Sequence, residues 1–349
     1  MKIQGIDHVE YYVGDLEASV ASLRRSFGFR VAGSSAPGQA GGSRLLRQGQ
    51  VQLLVTAPCD ETDAAAQYVR AHGDGIGVIA FGVDDVAAAF TEAVTAGARP
   101  VRAPEFAGQP GSRVGTAVVS GFGDVTHQLV QREGGAEFAP GSITMSQARA
   151  DDGMLAVLDH VAVCLPAGQL ESTVEFYRDV FGLAQIFDER IEVGGQAMLS
   201  KVVQDPGRNA TFTLIEPDLT LEPGQIDDFL KCHDGAGVQH LAFLTNDIGG
   251  AIRTMSARGV DFLTAPDGYY RALESRLGEL AIPAGELQEL NVLADSDPWG
   301  QMFQIFTIST HERKTFFLEL IERRGGRTFG TRNIHALYEA LEETRAGHN

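Results

Sequence analysis

Cysteine, tryptophan and positive charge are the scarce commodities of this sequence. Three cysteines, Cys59, Cys164 and Cys232, in 349 residues form an odd set without C-x-x-C spacing. That excludes a disulfide framework and a zinc ribbon. Lys and Arg number 28 against 46 Asp and Glu, for a net charge of −18. A field of that sign repels a phosphate backbone, so nucleic acid is not an expected partner. No stretch approaches the roughly 18 consecutive apolar residues of a membrane helix. The start MKIQGIDHVEYYV lacks a signal peptide's apolar core. A reduced, cytoplasmic protein with no membrane partner is the expectation. Also missing are a G-x-S-x-G elbow, a P-loop and a dinucleotide fingerprint after a strand. Gly73, Gly75 and Gly77 read as turn glycines rather than a phosphate cradle.

What is present is repetition. At 44% hydrophobic and 21% charged the chain is an ordinary globular sequence, long enough for two domains of roughly 150 residues. Residues 6–33 (IDHVEYYVGDLEASVASLRRSFGFRVAG) and 158–186 (LDHVAVCLPAGQLESTVEFYRDVFGLAQI) share Asp-His, a short apolar run, a turn, a helical stretch and Phe-Gly. Residues 73–101 and 235–262 form a second pair, again half the chain apart, with Asp84-Asp85 and Asn246-Asp247 where helix N-caps belong. Each half thus holds two units of strand, helix and several strands. RLLRQGQVQLLVTAP, TAVVSGFGDVTHQLVQR, ATFTLIEP and QMFQIFTIS supply the later strands. The Gly-rich, polar stretch at 133–156 reads as a joining segment. The predicted division is 1–135, a linker at 136–156, and 157–349. NIHALYEALEETRAG, with Asn333 as a possible cap, has the apolar spacing of a C-terminal helix. The class is α+β, with mixed sheets curled around an interior.

Three polar residues fall on strand faces that ought to be buried. His160 shares a face with Ala162 and Cys164, His240 with Ala242 and Leu244, and Glu319 with Phe317 and Ile321. Taken singly, each histidine is more often a satisfied core residue. An ionised Glu319 among apolar neighbours, however, costs several kcal/mol unless paired or metal-bound. The three lie about eighty positions apart in the chain, far outside zinc-finger spacing. Only a fold joining the first and last strands of paired units could assemble them. Two histidines and one carboxylate with open positions suit non-haem Fe(II). In the first half the aligned residues are His8, Val78 and Gln128. One of three candidate ligands survives there, so the first half reads as a structural copy and His8 as a packed histidine. His72, His233, His311, His335 and His348 sit in polar or terminal contexts and read as surface residues.

Asp159-His160-Val161, GAGVQHLAF with Gln239-His240, QIFT at 304–307 and FFLELIER with Glu319 together resemble the 4-hydroxyphenylpyruvate dioxygenase family. The likeness covers the second half in detail and the first half as repeat and architecture. It implies the vicinal-oxygen-chelate fold, four βαβββ units in two curled-sheet, barrel-like domains plus a C-terminal helix. It implies that His160, His240 and Glu319 bind Fe(II), that 4-hydroxyphenylpyruvate and O2 are the substrates, and that the assembly is a homodimer. It places Ser200, Thr213, Ile215, Gln225, Gln239, Gln304, Phe306 and Ile334 around the substrate, with Phe317 and Leu318 near the metal strand.

The family divides by product. Its ring-hydroxylating branch, which makes homogentisate, has Pro-x-Asn before Glu-Pro and Gly-Asn-Phe at the C-terminal helix. Here the residues are Thr213-Leu214-Ile215-Glu216-Pro217 and Arg332-Asn333-Ile334. Both departures look like the branch that hydroxylates the benzylic carbon to 4-hydroxymandelate, which implies a place in antibiotic biosynthesis. Ile215 removes an amide that could hold a polar end of the substrate, and Ile334 removes a flat wall beside its ring. The bland reading of Thr213 and Ile215 is that β-branched residues merely fill a strand. Two alternatives lie outside this chemistry. An extradiol catechol dioxygenase would need further acid–base groups near the metal, and a metal-free binding protein on the same scaffold would need no iron. The stretch DPWG at 297–300 leaves Trp299 either near the entrance or covering a turn.

Overall fold

One local pattern is used four times. In the first unit β1 (Gly5–Tyr12) leads through α1 (Leu16–Phe27) to β2 (Arg30–Ser34), β3 (Gly42–Gln48) and β4 (Val51–Ala57). After α2 (Ala64–His72) the second runs β5 (Gly75–Gly82), α3 (Val86–Thr95), β6 (Pro100–Ala107), β7 (Val114–Ser120) and β8 (Thr126–Arg132), followed by a short β9 (Thr144–Met145). The third comprises β10 (Val157–Cys164), α4 (Leu170–Phe181), β11 (Ala184–Val193), β12 (Gln196–Gln204) and β13 (Thr211–Pro217). After α5 (Gln225–His233), the fourth opens with β14 (Gly237–Leu244) and α6 (Ile248–Ala257). It then inserts α7 (Asp267–Arg271), α8 (Leu273–Leu277) and α9 (Ala284–Glu289) before β15 (Leu293–Asp297), β16 (Gly300–Phe306) and β17 (Phe317–Arg324). This computed structural model describes residues 1–36, 41–135, 137–146, 153–330 and 333. Ile334, His335, His348 and the predicted C-terminal helix beyond Asn333 lie outside the described residues.

Two sheets result, ordered β6-β7-β8-β5-β1-β4-β3-β2-β9 and β11-β12-β13-β10-β14-β17-β16-β15. In each unit the first strand runs parallel to the last. The first strands of paired units are antiparallel neighbours at the sheet centre, β1 with β5 and β10 with β14. The expected N-caps are present: Asp85 accepts from the amides of Ala87 and Ala88, and Asp247 from that of Gly250. A second fastening repeats without an obvious sequence signature. Gln131, Glu216 and Glu322, each from the last strand of a unit, accept the first amide of that unit's helix, at Val86, Leu170 and Ile248. Glu322 is thus a buried carboxylate satisfied by a helix N-terminus.

Strand alternation sorts the side chains into two interiors. One face of each central strand contributes Val9, Ile79, Phe81, Val161, Phe212, Leu241 and Phe243 to a single core shared by both halves. Helix α3 touches α4 and β5 touches β14, so these faces meet each other. The opposite face of the second sheet carries the residues of the candidate site. His127 on β8 lies fully buried in the shared core, against Phe81, Phe181 and Tyr177, with its Nε2 3.0 Å from the Tyr177 hydroxyl.

The buried histidines require two corrections. His72 and His233, expected at the surface, are buried, and their rings stack at 4.4 Å where α2 meets α5. His72 is held by Asp124 and by the His233 carbonyl, both distant in sequence, so its partners come from tertiary packing that its local polar context does not show. His311 is half-buried. Burial pushes both His127 and His233 down to about 4, the charge of His72 adding to the effect at His233. Unfolded, they would take a proton near their ordinary 6.5. The contribution of these two histidines to stability is therefore indifferent to pH above about 7 and falls as pH drops from about 6.5 to 4, by about 3 kcal/mol for His127. Denaturant titrations at pH 7 and pH 5 check this, and His127→Phe should flatten the slope. Equal stability at the two values would count against it.

Part of the stretch read as a joining segment packs on the first sheet. Phe138 and Ile143 are buried against Ala32 and Leu45, and β9 pairs with β2. Trp299 sits at the β15–β16 turn, exposed, with Arg327 over its ring and Asp297 accepting its amide, so it covers a turn. Cys59 and Cys232 are exposed and Cys164 buried, all free thiols. Among the described residues no helix is long and apolar enough to cross a membrane.

Candidate metal centre

Strand register brings the three distant residues together. His160 on β10 and Glu319 on β17 both pair with Ala242 on β14, from opposite sides. His240, two residues back along β14, pairs with Ala162 and Phe317. All three side chains therefore project from one face, and the alanines between them leave room above the sheet. Their ligand atoms lie within 4.8 Å of one another. His160 Nε2 is 3.3 Å and His240 Nε2 3.2 Å from Glu319 Oε2. All are buried, Glu319 at 1% exposure.

The atoms not aimed at the common point are held. His160 Nδ1 lies 2.9 Å from Asp159 Oδ2, and the Arg323 guanidinium forks onto both Asp159 oxygens at 2.7 and 2.8 Å. A carboxylate only accepts, so Nδ1 carries the proton and Nε2 is left for a metal. His240 Nδ1 faces Gln239 Oε1 at 3.3 Å, and Gln304 Nε2 donates to Glu319 Oε1 at 2.8 Å. Two register shifts in the β10–β14 ladder make this possible. Asp159 and Gln239 are each skipped in the pairing, and such bulges re-aim side chains. Gln239 consequently lines the same cavity as His240.

Electrostatics favour positive charge at the centre of the triad. Burial opposes ionisation of Glu319, yet the imidazoles overcome it and hold the carboxyl down to about 2. Burial likewise disfavours a charged His160, but Glu319 and Asp159 raise it to about 9. Burial dominates at His240 and lowers it. Two imidazole nitrogens and one carboxylate oxygen, converging and individually oriented, match the set of donors that leaves a metal open positions. Replacing Asp159 by Asn should weaken metal binding about tenfold to a hundredfold, measurable by competition with a chelator.

Ser200, Thr213, Ile215, Gln239, Gln304 and Phe306 line one cavity with the triad. Gln225 does not line it: it begins α5, half-buried, with Ile226 and Phe229 of that helix packed on the pocket's apolar cluster. Phe317 stacks on the His240 ring at 4.8 Å, while Leu318 faces the shared core. Sequence reasoning missed Phe187, Ile191, Val202 and Phe329, which complete the apolar wall. It also missed Asp159 and Arg323 as supports, though a signal exists. Asp-His recurs in both halves, and an arginine follows Gln128 and Glu319 at the same spacing. Asp7 contacts His8 at 2.6 Å and accepts a bidentate Arg132, with Phe138 edge-on to His8 as Phe329 is to His160. His8, Ala80 and Gln128 share one row, as His160, Ala242 and Glu319 do. The first half keeps the histidine's support while Val78 and Gln128 replace the other two donors.

Comparison with known proteins agrees with this geometry. Residues 1–144 match the family model described as hydroxyphenylpyruvate dioxygenase, N-terminal. Residues 157–305 match that of the glyoxalase/bleomycin resistance protein/dioxygenase superfamily. A 4-hydroxyphenylpyruvate dioxygenase of Dictyostelium discoideum is 32% identical, covering 98% of this chain and 99% of its own. That of Coccidioides posadasii is 30% identical, over 98% and 93%. A solved structure of a mutant 4-hydroxymandelate synthase from Streptomyces coelicolor superposes with a TM-score of 0.91 at 44% identity, covering 99% of this chain and 100% of that one. The two-sheet, four-unit architecture is the vicinal-oxygen-chelate fold, and the protein is a dioxygenase belonging to the 4-hydroxyphenylpyruvate dioxygenase family.

Proposed function

We propose that this chain converts 4-hydroxyphenylpyruvate and O2 to 4-hydroxymandelate and CO2, with Fe(II) held by His160, His240 and Glu319. Residues 157–349 are the catalytic half and 1–135 a metal-free structural copy, joined by 136–156. Bound ferrous ion would supply open positions for the 2-oxo acid and dioxygen and pass electrons between them, the net reducing equivalents coming from the substrate through oxidative decarboxylation and oxidation of its benzylic C–H bond. The protein's own residues bind, orient and exclude water. Gln239, Gln304, Ser200 and Thr213 offer hydrogen bonds to the polar parts of the substrate. Phe187, Phe306, Phe329 and Ile191 give its ring an apolar wall.

The observation that carries the choice of product is Ile215. It is 7% exposed and lines the cavity beside Thr213, within a cluster including Ile191 and Phe306. Where the homogentisate-forming branch has an asparagine, this strand offers no side-chain amide. A ring that is not anchored there can turn its benzylic carbon toward the reacting position, and a displacement of about 1 Å is enough to redirect such chemistry. The 44% identity to a 4-hydroxymandelate synthase over nearly the whole of both chains supports the reading. Incubation with Fe(II), O2 and 4-hydroxyphenylpyruvate, followed by chromatography, should yield 4-hydroxymandelate. Homogentisate as the sole product would overturn the choice while leaving the family chemistry in place.

A further inference from the structure

We propose that Tyr269 is a positioning residue for the metal-binding carboxylate, acting through Asn333 and Gln304. The proposal rests on Glu319 being a metal ligand. Glu319 presents Oε2 to the two imidazoles and receives Gln304 Nε2 on Oε1. Gln304 Oε1 accepts from Asn333 Nδ2 at 2.8 Å, and Asn333 Oδ1 lies 2.7 Å from the Tyr269 hydroxyl. That hydroxyl accepts from the Ala294 amide at 2.8 Å and from Arg276 Nη2 at 3.3 Å. The Ala294 carbonyl, also near the phenol, is already served by Arg276 at 3.0 Å. Glu319 only accepts, which turns Gln304 and then Asn333 so that Asn333 presents an accepting oxygen at 2.7 Å, and the single phenolic proton goes to Asn333.

This assignment leaves no freedom further along. Asn333 must turn its oxygen to Tyr269 and its NH2 to Gln304, and Gln304 must turn its NH2 to Glu319. Reversing either amide would set oxygen against oxygen. Donation runs in one direction from the Arg276 cation, which also lies over the Tyr269 ring at 4.8 Å, to the Glu319 anion. Gln304 and Asn333 are almost wholly buried, where such a chain polarises each member. The relay keeps Oε2, rather than Oε1, facing the imidazoles, and it leaves one N–H of Gln304 for whatever occupies the cavity. It also gives a use to the insertion peculiar to the fourth unit, since Tyr269 lies on α7 and Arg276 on α8.

Tyr269→Phe removes one oxygen and keeps the ring. Metal-depleted wild type, Tyr269→Phe, Asn333→Ala, the double variant and Glu319→Ala are titrated anaerobically with Co(II), and affinity and absorption spectrum are recorded. Tyr269→Phe should lower affinity about tenfold and shift the Co(II) absorption. The double variant should be no worse than Asn333→Ala alone, because both break one chain. Wild-type affinity and spectrum in Tyr269→Phe, or fully additive losses, overturn the relay. An unchanged affinity in Glu319→Ala defeats the metal assignment beneath it instead, so the two failures are distinct.

Discussion

Glu319→Ala should lose iron and turnover together, each by at least about a hundredfold, in a chain that stays folded. In the proposed centre the carboxylate is one of three metal donors, and it is the anion toward which both imidazoles point. Without it His160 loses the largest of the influences that raise it and keeps only Asp159 against burial, and Gln304 is left with an unanswered N–H in a buried place. Glu319→Gln is the instructive companion, because it keeps the volume and one acceptor oxygen while removing the charge. It should bind iron better than the alanine variant and worse than wild type. Iron per chain after anaerobic reconstitution, and CO2 released from 4-hydroxyphenylpyruvate, are the two measurements. Full iron content in Glu319→Ala would mean that the triad is only a buried polar cluster.

The second large effect concerns product rather than rate. Ile215→Asn should move the ratio of homogentisate to 4-hydroxymandelate upward by about tenfold or more, with iron content intact. A tenfold change requires only about 1.4 kcal/mol between competing transition states, within reach of one hydrogen bond to the substrate. The amide replaces a side chain that packs in an apolar cluster, so the substrate-free variant should lose about 1–3 kcal/mol of stability. Chromatography of the products and a denaturation curve read the two consequences separately. Ile334→Phe should act in the same direction. A variant that loses iron instead would show that position 215 supports the metal and not the substrate.

The repeat made most of the fold legible. Paired Asp-His, Phe-Gly and acidic-cap signatures located four units, and two-residue alternation put His160, His240 and Glu319 on inward faces. The first-half alignment of His8, Val78 and Gln128 agrees with the observed register residue by residue. Less was legible where neighbours distant in sequence supply the partners. His72 and His233 sit in polar segments, and only the docking of α2 on α5 buries them. Helices α7 to α9 are only 5, 5 and 6 residues long, too short for an apolar period to announce them, and their role depends on what they touch. Ladder shifts at Asp159 and Gln239 leave no mark in composition, because a bulge is a property of the pair of strands.

From the amino-acid order alone came the unit, its fourfold use, the inward faces and the chemical types of the three donors, all consequences of periodicity and local propensity. Tertiary structure decided that those donors share one point, which oxygen of Glu319 faces it, and which arginine steadies which aspartate. Those outcomes depend on distances between strands far apart in the chain, and no local preference of the backbone encodes them.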